Sequence, residues 1–554
     1  FIPNCGLAPQ GMIVKPGRKP RIVYDGSYQH DPTCIPYNWY IQLCNEPEIV
    51  FGQAMPGYLL ELCNLRVTCP TRDILQHAND VTRAFRRECY NCEVVPAKGF
   101  LFEDYLHFAV GQTFGDKSSP SNFEPFARAR CALAQHCWLT KEEVPPCEDY
   151  LDHVQFDAPP GKDTIFTPAT ADKCTPGVLR PNGTRRPTRH FMFVDDAMCA
   201  DVPERMHLAM RYSIHAANVT FGMPDPTKRT NAVDYEKFFK QKVSHAIDVL
   251  GNWIDTRTME ISITTDRRSK VFKLLASTWH DQRKSFTLVE GAQLLGTLIN
   301  ACQVCQWGQF LFVSLYRHIN DLLHRNHERL LNTKDFQSLL QSRPDSFDCM
   351  QTAARFKFFN SKVARDIWRS KTKTFIDQDL RDDIRFLRRI ISTPEVYKWA
   401  SPIVYLIPRE HTYLITGDAC LTGAGGFSIH LNFMWVEPWP LSIVRRTLKC
   451  VKKRDKSLIS INKLEHVTII ISLAAAITAW ECMTPTARPM HPILLILSDN
   501  KTAEAWTRRV SGMRDRSART LGKIFAHLLM FSDVGCNAAC LEGDKNDVAD
   551  YISR

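Results

Sequence analysis

Two adjacent carboxylates, Asp195 and Asp196, interrupt the stretch HFMFVDDAMCA (residues 190–200) between the apolar runs Phe191–Val194 and Ala197–Ala200. The spacing predicts two strands joined by a turn, because Asp favours turns and both flanks suit a half-buried ribbon. A plain β-hairpin would account for that pattern. The chemistry such a pair could perform is divalent-cation binding, since hard cations take oxygen ligands and a rigid tip can hold two carboxylates close together. Other acids would then have to converge on the tip. Asp80, in NDVTRAFRR, is the first candidate: it either caps the following helical turn or ends a strand beside the hairpin.

A second set of separated acids lies near the C-terminal end: Asp418 in ITGDACLTGAGG, Glu465 in NKLEHVTIII, Asp499 in LSDNKTAEAW and Asp550 in GDKNDVADYISR. Each also has a structural role open to it. Asn462 and Glu465 have capping-box spacing, Asp499 and Asn546 or Asp547 could cap helices, and Asp418 could start a turn. Two C-x-x-C spacings, Cys89 with Cys92 and Cys302 with Cys305, would bind tetrahedral zinc only if both pairs met in space. The second pair falls in a helical apolar pattern, so core packing is the expectation there.

The elements that must position these residues are bounded by composition. With 554 residues, 44% hydrophobic and 23% charged, the chain is globular rather than disordered. It has room for roughly three or four domains of about 150 residues. A net charge of +11 fits a polyanionic partner. The 20 cysteines are scattered along the chain, which argues for reduced thiols over a secreted disulfide framework. No signal peptide is visible, and the longest apolar stretch, Val467–Trp480, is short for a bilayer. The expectation is a soluble intracellular protein, cytoplasmic or nuclear, with no membrane partner. Starting at Phe1 and stopping at Arg554, it reads as a segment of a longer polyprotein.

Residues 1–225 read as an α/β region with several hairpins, carrying a Pro-, Gly- and Asp-rich surface insertion at about 140–189. Within it, GMIVKPGRKPRIVYDGS places Lys15, Lys19 and Arg21 on a hairpin where cations could neutralise a triphosphate. GQTFGDKSSPSNF supplies a Gly- and Ser-rich turn leading into a helix. From 226 to 400 helical spacing dominates, as in Leu294, Leu295, Leu298, Ile299 and Cys302, or Ile384, Leu387 and Ile391. From 409 the pattern is strand, glycine-rich turn, strand, a helix at 463–480, the strand ILLILSDN, another helix and a short terminal helix. That alternation predicts a compact α/β domain.

Taken in order, the basic hairpin, Asp-x-x-x-Ala-Phe, Phe-Gly-x-x-x-Ser-Pro and Phe-Val-Asp-Asp resemble the fingers and palm of reverse transcriptases over about residues 10–265. VLGNWIDTRTMEISI (249–263) looks like that family's primer-gripping hairpin. The resemblance implies two Mg²⁺ or Mn²⁺ ions held by Asp80, Asp195 and the Val81 backbone carbonyl, with Asp196 as an accessory carboxylate. It also implies Lys15, Lys19 and Arg21 at the triphosphate, Phe85 as a steric gate against a 2′-OH, and Phe114 with Gly115 near the nascent base pair.

The four C-terminal acids resemble the Asp-Glu-Asp-Asp set of the ribonuclease H family, which implies a second two-ion site at Asp418, Glu465, Asp499 and Asp550. DACLTGAGG, SDNKTAEAW and GDKNDVADYISR look most like the version in DIRS-type tyrosine-recombinase retrotransposons or pararetroviruses. Two departures stand out. Cys540 replaces the His that often lies ten residues before the last Asp, which implies a working but slower nuclease, and Pro120 is unusually far from Asp195.

The implied architecture is a multidomain α/β (α+β) protein, a right-hand polymerase of fingers, palm and thumb followed by a connection and a ribonuclease H-like domain. Its expected boundaries are fingers and palm 1–225, primer grip and helical thumb 226–330, helical connection 331–408 and nuclease 409–554. The implied function is RNA- and DNA-templated DNA synthesis coupled to cleavage of RNA in hybrids, for retroelement replication. Its partners would be an RNA template, a DNA primer, the RNA–DNA hybrid and dNTPs; the sequence leaves the oligomeric state open. An inactive or domesticated nucleic-acid-binding scaffold is the alternative. Retention of all seven repelling carboxylates argues against it, and Phe85 together with the nuclease acids argues against an RNA polymerase.

Overall fold

The computed structural model describes residues 10–13, 21–24, 38, 47–89, 95–102, 105–113, 118–140, 143–144, 187–224, 231–238, 242–305, 307–331, 371–394, 397, 399–453, 459–508, 513 and 516–554. The fold is mixed α/β, and it divides near residue 260 into two compact units.

The first unit opens with β1 (Gln10–Ile13) and β2 (Arg21–Tyr24), paired antiparallel with Gln10 opposite Tyr24. This is the expected basic hairpin; its tip, with Lys15 and Lys19, lies outside the described residues. The elements α1 (Ala54–Thr68), β3 (Leu75–Asp80), β4 (Gly99–Phe102), β5 (Tyr105–Phe108) and α2 (Ser119–Thr140) follow. Then come β6 (His190–Phe193), β7 (Asp196–Asp201), α3 (Pro203–Phe221) and the single turn α4 (Tyr235–Phe238). The hairpin of β8 (Ala246–Val249) and β9 (Asn252–Asp255) follows them.

The centre of this unit is an antiparallel sheet in the order β3-β7-β6. Helices α2 and α3 pack together and onto its strands, burying Phe123, Ala127, Met192, Cys199, Met210 and Ile214 in one core. Two residues, Val194 and Asp195, turn the β6–β7 hairpin, one position earlier than the Asp195–Asp196 pair at which the sequence places the turn, so that Asp196 opens β7. The β8–β9 turn is equally tight: Leu250 at φ 53° and Gly251 at φ 76° give the twist that a two-residue connection demands. The insertion expected at 140–189 lies almost wholly outside the described residues, as do Phe114 and Gly115.

After β10 (Glu260–Ile263), the second unit continues through α5 (Thr265–Lys273), β11 (Ser285–Thr287), α6 (Leu288–Cys302), α7 (Val313–Leu331), β12 (Lys373–Phe375), α8 (Gln378–Ser392) and β13 (Ala400–Pro402). Among the described residues, the region in which helical spacing dominates therefore also holds the short strands β8 to β13, of which β9 and β10 lie in the stretch 249–263 read as a hairpin. Helix α6 starts at a true capping box, Thr287 with Glu290. Cys302 and Cys305 are buried and their thiols pushed up by burial, so they pack as apolar groups.

The chain then forms β14 (Tyr413–Ala419), β15 (Gly423–Ser428), β16 (Phe433–Pro438), α9 (Leu441–Lys453), α10 (Ile461–Glu481), β17 (Ile493–Ser498), α11 (Lys501–Arg508), α12 (Arg516–Phe531), β18 (Gly535–Cys540) and α13 (Asp547–Ser553). Its sheet runs β16-β15-β14-β17-β18. The three strands from β14 to β16 pair antiparallel, whereas β17 lies parallel to β14, and β18 parallel to β17.

Helix α10 packs on β14, β15 and β17. At 21 residues it is long and apolar enough to cross a membrane, longer than the stretch apparent in the sequence, but here most of it is buried against the sheet. The capping box whose spacing Asn462 and Glu465 show does not form at its start. Ser460 stands at the N-cap, and the Asn462 amide oxygen accepts a hydrogen bond from Asn500 Nδ2 at 2.9 Å.

Candidate active sites

The first unit gathers its acids at the ends of β3 and β7. The register sets Asp80 directly opposite Asp196, a placement that brings like charges to about 4.5–5.5 Å between Cβ atoms and is destabilising without a cation. Asp195 occupies the turn. Its carbonyl accepts a hydrogen bond from Val81 N–H at 3.0 Å, tying the hairpin tip to the end of β3. Val194 before it takes φ 54°, a left-handed conformation that a β-branched residue adopts only under constraint.

Asp80 ends a strand and caps no helix, since the next turn, Ala84–Arg87, begins after Arg83 with no side-chain cap. One of its oxygens pairs with Lys237 Nζ. The other is buried with no hydrogen-bond partner.

A cavity of about 80 Å³ opens between these strands, lined by Asp80, Asp196, Lys237 and Asp248 among others. Burial first, then Asp195 and Asp248, push the Asp196 carboxyl up to about 6. Sequence reasoning missed both Lys237 and Asp248. Asp248 lies on β8, immediately before the stretch 249–263 that resembles a primer-gripping hairpin, and nothing local announces its proximity to Asp196. Arg21 begins β2, as expected. Phe85 is 9% exposed, its ring edge-on to Phe123 at 5.7 Å within the core, so little of it is open to a ligand.

The second unit brings three of its four acids into direct contact range. Asp418 lies near the end of β14, Glu465 in the first turns of α10 and Asp499 just past β17. One oxygen from each falls within 4.8 Å of the others. Among the described residues, no other three His, Cys, Asp or Glu side chains meet so closely.

Repulsion is visible in their protonation. Burial, then Asp418 and Asp499, push Glu465 up to about 9. Burial raises Asp499 as well, with Asp418 and Asp550 adding to it. Asp418 is raised chiefly by burial, against which the Ser553 hydroxyl, donating at 2.7 Å, works.

Asp550, on α13, stands outside the triple but close enough to raise both Asp418 and Asp499. Arg554 grips it with Nε on Oδ1 at 3.0 Å and a terminal nitrogen on Oδ2 at 2.7 Å.

The helix-capping roles considered for these acids fall to neighbours. The Asn500 side chain accepts from the N–H groups of Thr502 and Ala503 at the start of α11, which leaves Asp499 free of that duty. Asn546 stands at the N-cap of α13 without a capping bond and instead donates to Asp418 Oδ1 at 3.4 Å. Cys540 ends β18, exposed, its thiol 3.6 Å from the Asp499 carbonyl.

No protein-family profile and no curated protein matches the chain. Among solved structures it is similar to a foamy viral protease–reverse transcriptase bound to double-stranded DNA, at 11% identity and TM-score 0.37, over 96% of this chain and 65% of that one. A foamy viral protease–reverse transcriptase bound to an RNA/DNA hybrid is also similar, at 11% identity and TM-score 0.33, over 100% and 74% of the two chains. The chain thus spans under two thirds of the first of these.

Proposed function

We propose that this chain is a DNA polymerase that copies RNA and DNA templates, joined to a ribonuclease H that removes RNA from the resulting hybrid. Copying RNA leaves a hybrid whose RNA strand blocks second-strand synthesis, so the two activities belong together. The reading extends to replication of a retroelement, DIRS-like or pararetroviral, acting inside the cell.

The observation that carries it is the convergence of Asp418, Glu465 and Asp499 within 4.8 Å from three separate elements. Three converging carboxylates, with Glu465 raised by burial and then by Asp418 and Asp499, are an all-oxygen donor set of the kind a hard cation takes. Support for the polymerase is the cross-strand placement of Asp80 and Asp196 beside Asp195, with a buried Asp80 oxygen left without a partner.

Both sets fit Mg²⁺ or Mn²⁺, held by Asp80, Asp195 and Asp196 with the Val81 carbonyl in one case and by Asp418, Glu465, Asp499 and Asp550 in the other. When bound, such ions activate the attacking oxygen and stabilise the leaving one. The residues themselves supply the charge and its orientation. Asp196, at about 6, is mostly ionised at neutral pH, and Lys237 holds a positive charge against Asp80. Glu465, at about 9, gives up a proton when a cation takes its place. Ser553 and Asn546 fix the Asp418 carboxylate from two sides.

The test is incubation of an RNA–DNA hybrid with the full chain and Mg²⁺, comparing it with Glu465→Gln. The proposal expects RNA cleavage by the parent and a loss of at least about 10²-fold in the variant, since bound cations supply several kcal/mol at the transition state. Equal cleavage by both would place the nuclease elsewhere.

A further inference from the structure

Helix α9 is a 13-residue element between β16 and α10 that neither set of acids uses. One face is anchored. Ile443 and Val444 pack against the cluster of Ala419, Ala424, Trp439 and Leu464, and Thr447 is fully buried. The anchor is tied down further by Trp439, whose indole N–H donates to the Cys420 carbonyl at 3.0 Å and whose backbone N–H donates to Thr422 at 2.8 Å. Ala419 follows Asp418 and Leu464 precedes Glu465, so the helix is rooted within one residue of two of the acids.

Its exposed side carries three cations beside the apolar Leu441, Leu448 and Val451. Arg445, Arg446 and Lys449 are all exposed, and among the described residues none is paired with a carboxylate. Arg445 and Lys449 stand four residues apart, a spacing at which like charges on a helix repel. A helix that keeps such a pair without acidic neighbours is complementary to a polyanion, and thirteen residues give it a reach of about 20 Å, several phosphates along a strand.

We propose that α9 grips the phosphate backbone of an RNA–DNA hybrid and holds it against the Asp418, Glu465 and Asp499 site. This rests on the nuclease reading above and adds to it the surface that binds the substrate. The grip is electrostatic and blind to base sequence, because Arg and Lys on an exposed helix face contact phosphate oxygens rather than base edges.

The experiment is hybrid binding by the full chain, followed by fluorescence anisotropy of a labelled hybrid across a range of KCl concentrations. It is paired with cleavage kinetics in Mg²⁺. Arg445→Gln/Arg446→Gln/Lys449→Gln should weaken binding by tenfold or more at low salt and reduce the slope of log Kd against log salt by about two to three. In cleavage it should raise KM while leaving kcat at saturating hybrid near that of the parent. Arg445→Lys/Arg446→Lys keeps the charge and should restore the slope; Arg445→Gln alone, the mildest change, should lower it by about one.

An unchanged slope in a triple variant that folds as the parent does would overturn the role of α9 while leaving the nuclease reading intact. A loss of single-strand binding with hybrid binding unchanged would overturn it too. A parent chain that binds hybrid but cleaves none would instead sink the nuclease reading, and this inference with it.

Discussion

At the scale of single residues, the acids of the second unit store the clearest consequence. Glu465 is held at about 9 in the folded chain, against about 4.5 when unfolded. Below the unfolded value both states carry the proton and folding is unpenalised; as pH rises toward 9 the folded state resists losing it, and stability falls. Metal-free protein should therefore lose thermal stability from pH 6 to 9, and Mg²⁺ should raise the unfolding temperature by more at the higher pH. Scanning calorimetry with EDTA or Mg²⁺ at the two pH values checks this, and a metal increment that shrinks with pH would contradict it. Cys540→His should speed hybrid turnover, as multiple-turnover kinetics would measure; equal turnover would show that the exposed thiol beside Asp499 limits nothing. Residue types made these acids legible in the sequence, but their local duties were not. Asn500, one position from Asp499, takes the cap, and Asn462 bonds to Asn500 instead of the helix start, choices decided by contacts between α10 and α11 that no local spacing encodes.

At the scale of elements, the position of Asp550 depends on how closely α13 lies on β15. A Cβ on Gly425 would stand 2.3 Å from Ile552 Cγ2 and 3.1 Å from its backbone carbon, so Gly425→Ala must displace the helix. The expected cost is about 1–3 kcal/mol of stability, with hybrid cleavage reduced and primer extension kept, measured by chemical denaturation and by the two assays side by side. In the first unit, His77 on β3 and His190 on β6 are both buried and held down to about 3, burial first and then the Arg130 charge. Unfolded histidines take up protons near 6.5, so the unfolded state gains protons first, and stability should fall as pH drops from about 6.5 toward 3. His77→Leu and His190→Leu should each flatten that fall in denaturant titrations at pH 7 and pH 5. The β6–β7 hairpin was legible because apolar runs flank the acid pair, although its turn sits one residue earlier than that pair. Asp248 was not, because only the placement of β8 beside β3 brings it to Asp196. The fully buried Arg130, bonded to Asn79 and Ser213, was equally silent in the helix that follows the Gly- and Ser-rich turn.

At the scale of the whole molecule, the two acid sets belong to different compact units, the first set lying within Phe1–Glu260 and the second within Ile367–Arg554. Much of the second unit's order was readable, since strand, helix and glycine turn alternate cleanly after residue 409. The helix read as 463–480 runs from Ile461 to Glu481. The middle of the chain was harder, because short strands such as β11 and β12 pair across 86 or more residues, and periodicity reports only near neighbours. Carboxylates confined to separate units should be separable by substitution. The most direct measurement follows a labelled DNA primer on an RNA template with Mg²⁺ and dNTPs, comparing the parent chain with Asp195→Asn and Glu465→Gln. The account predicts extension by the parent and by Glu465→Gln, and extension reduced at least about 10²-fold in Asp195→Asn. Equal extension by the parent and Asp195→Asn, or none by either despite tight binding of the primer and template, would contradict it.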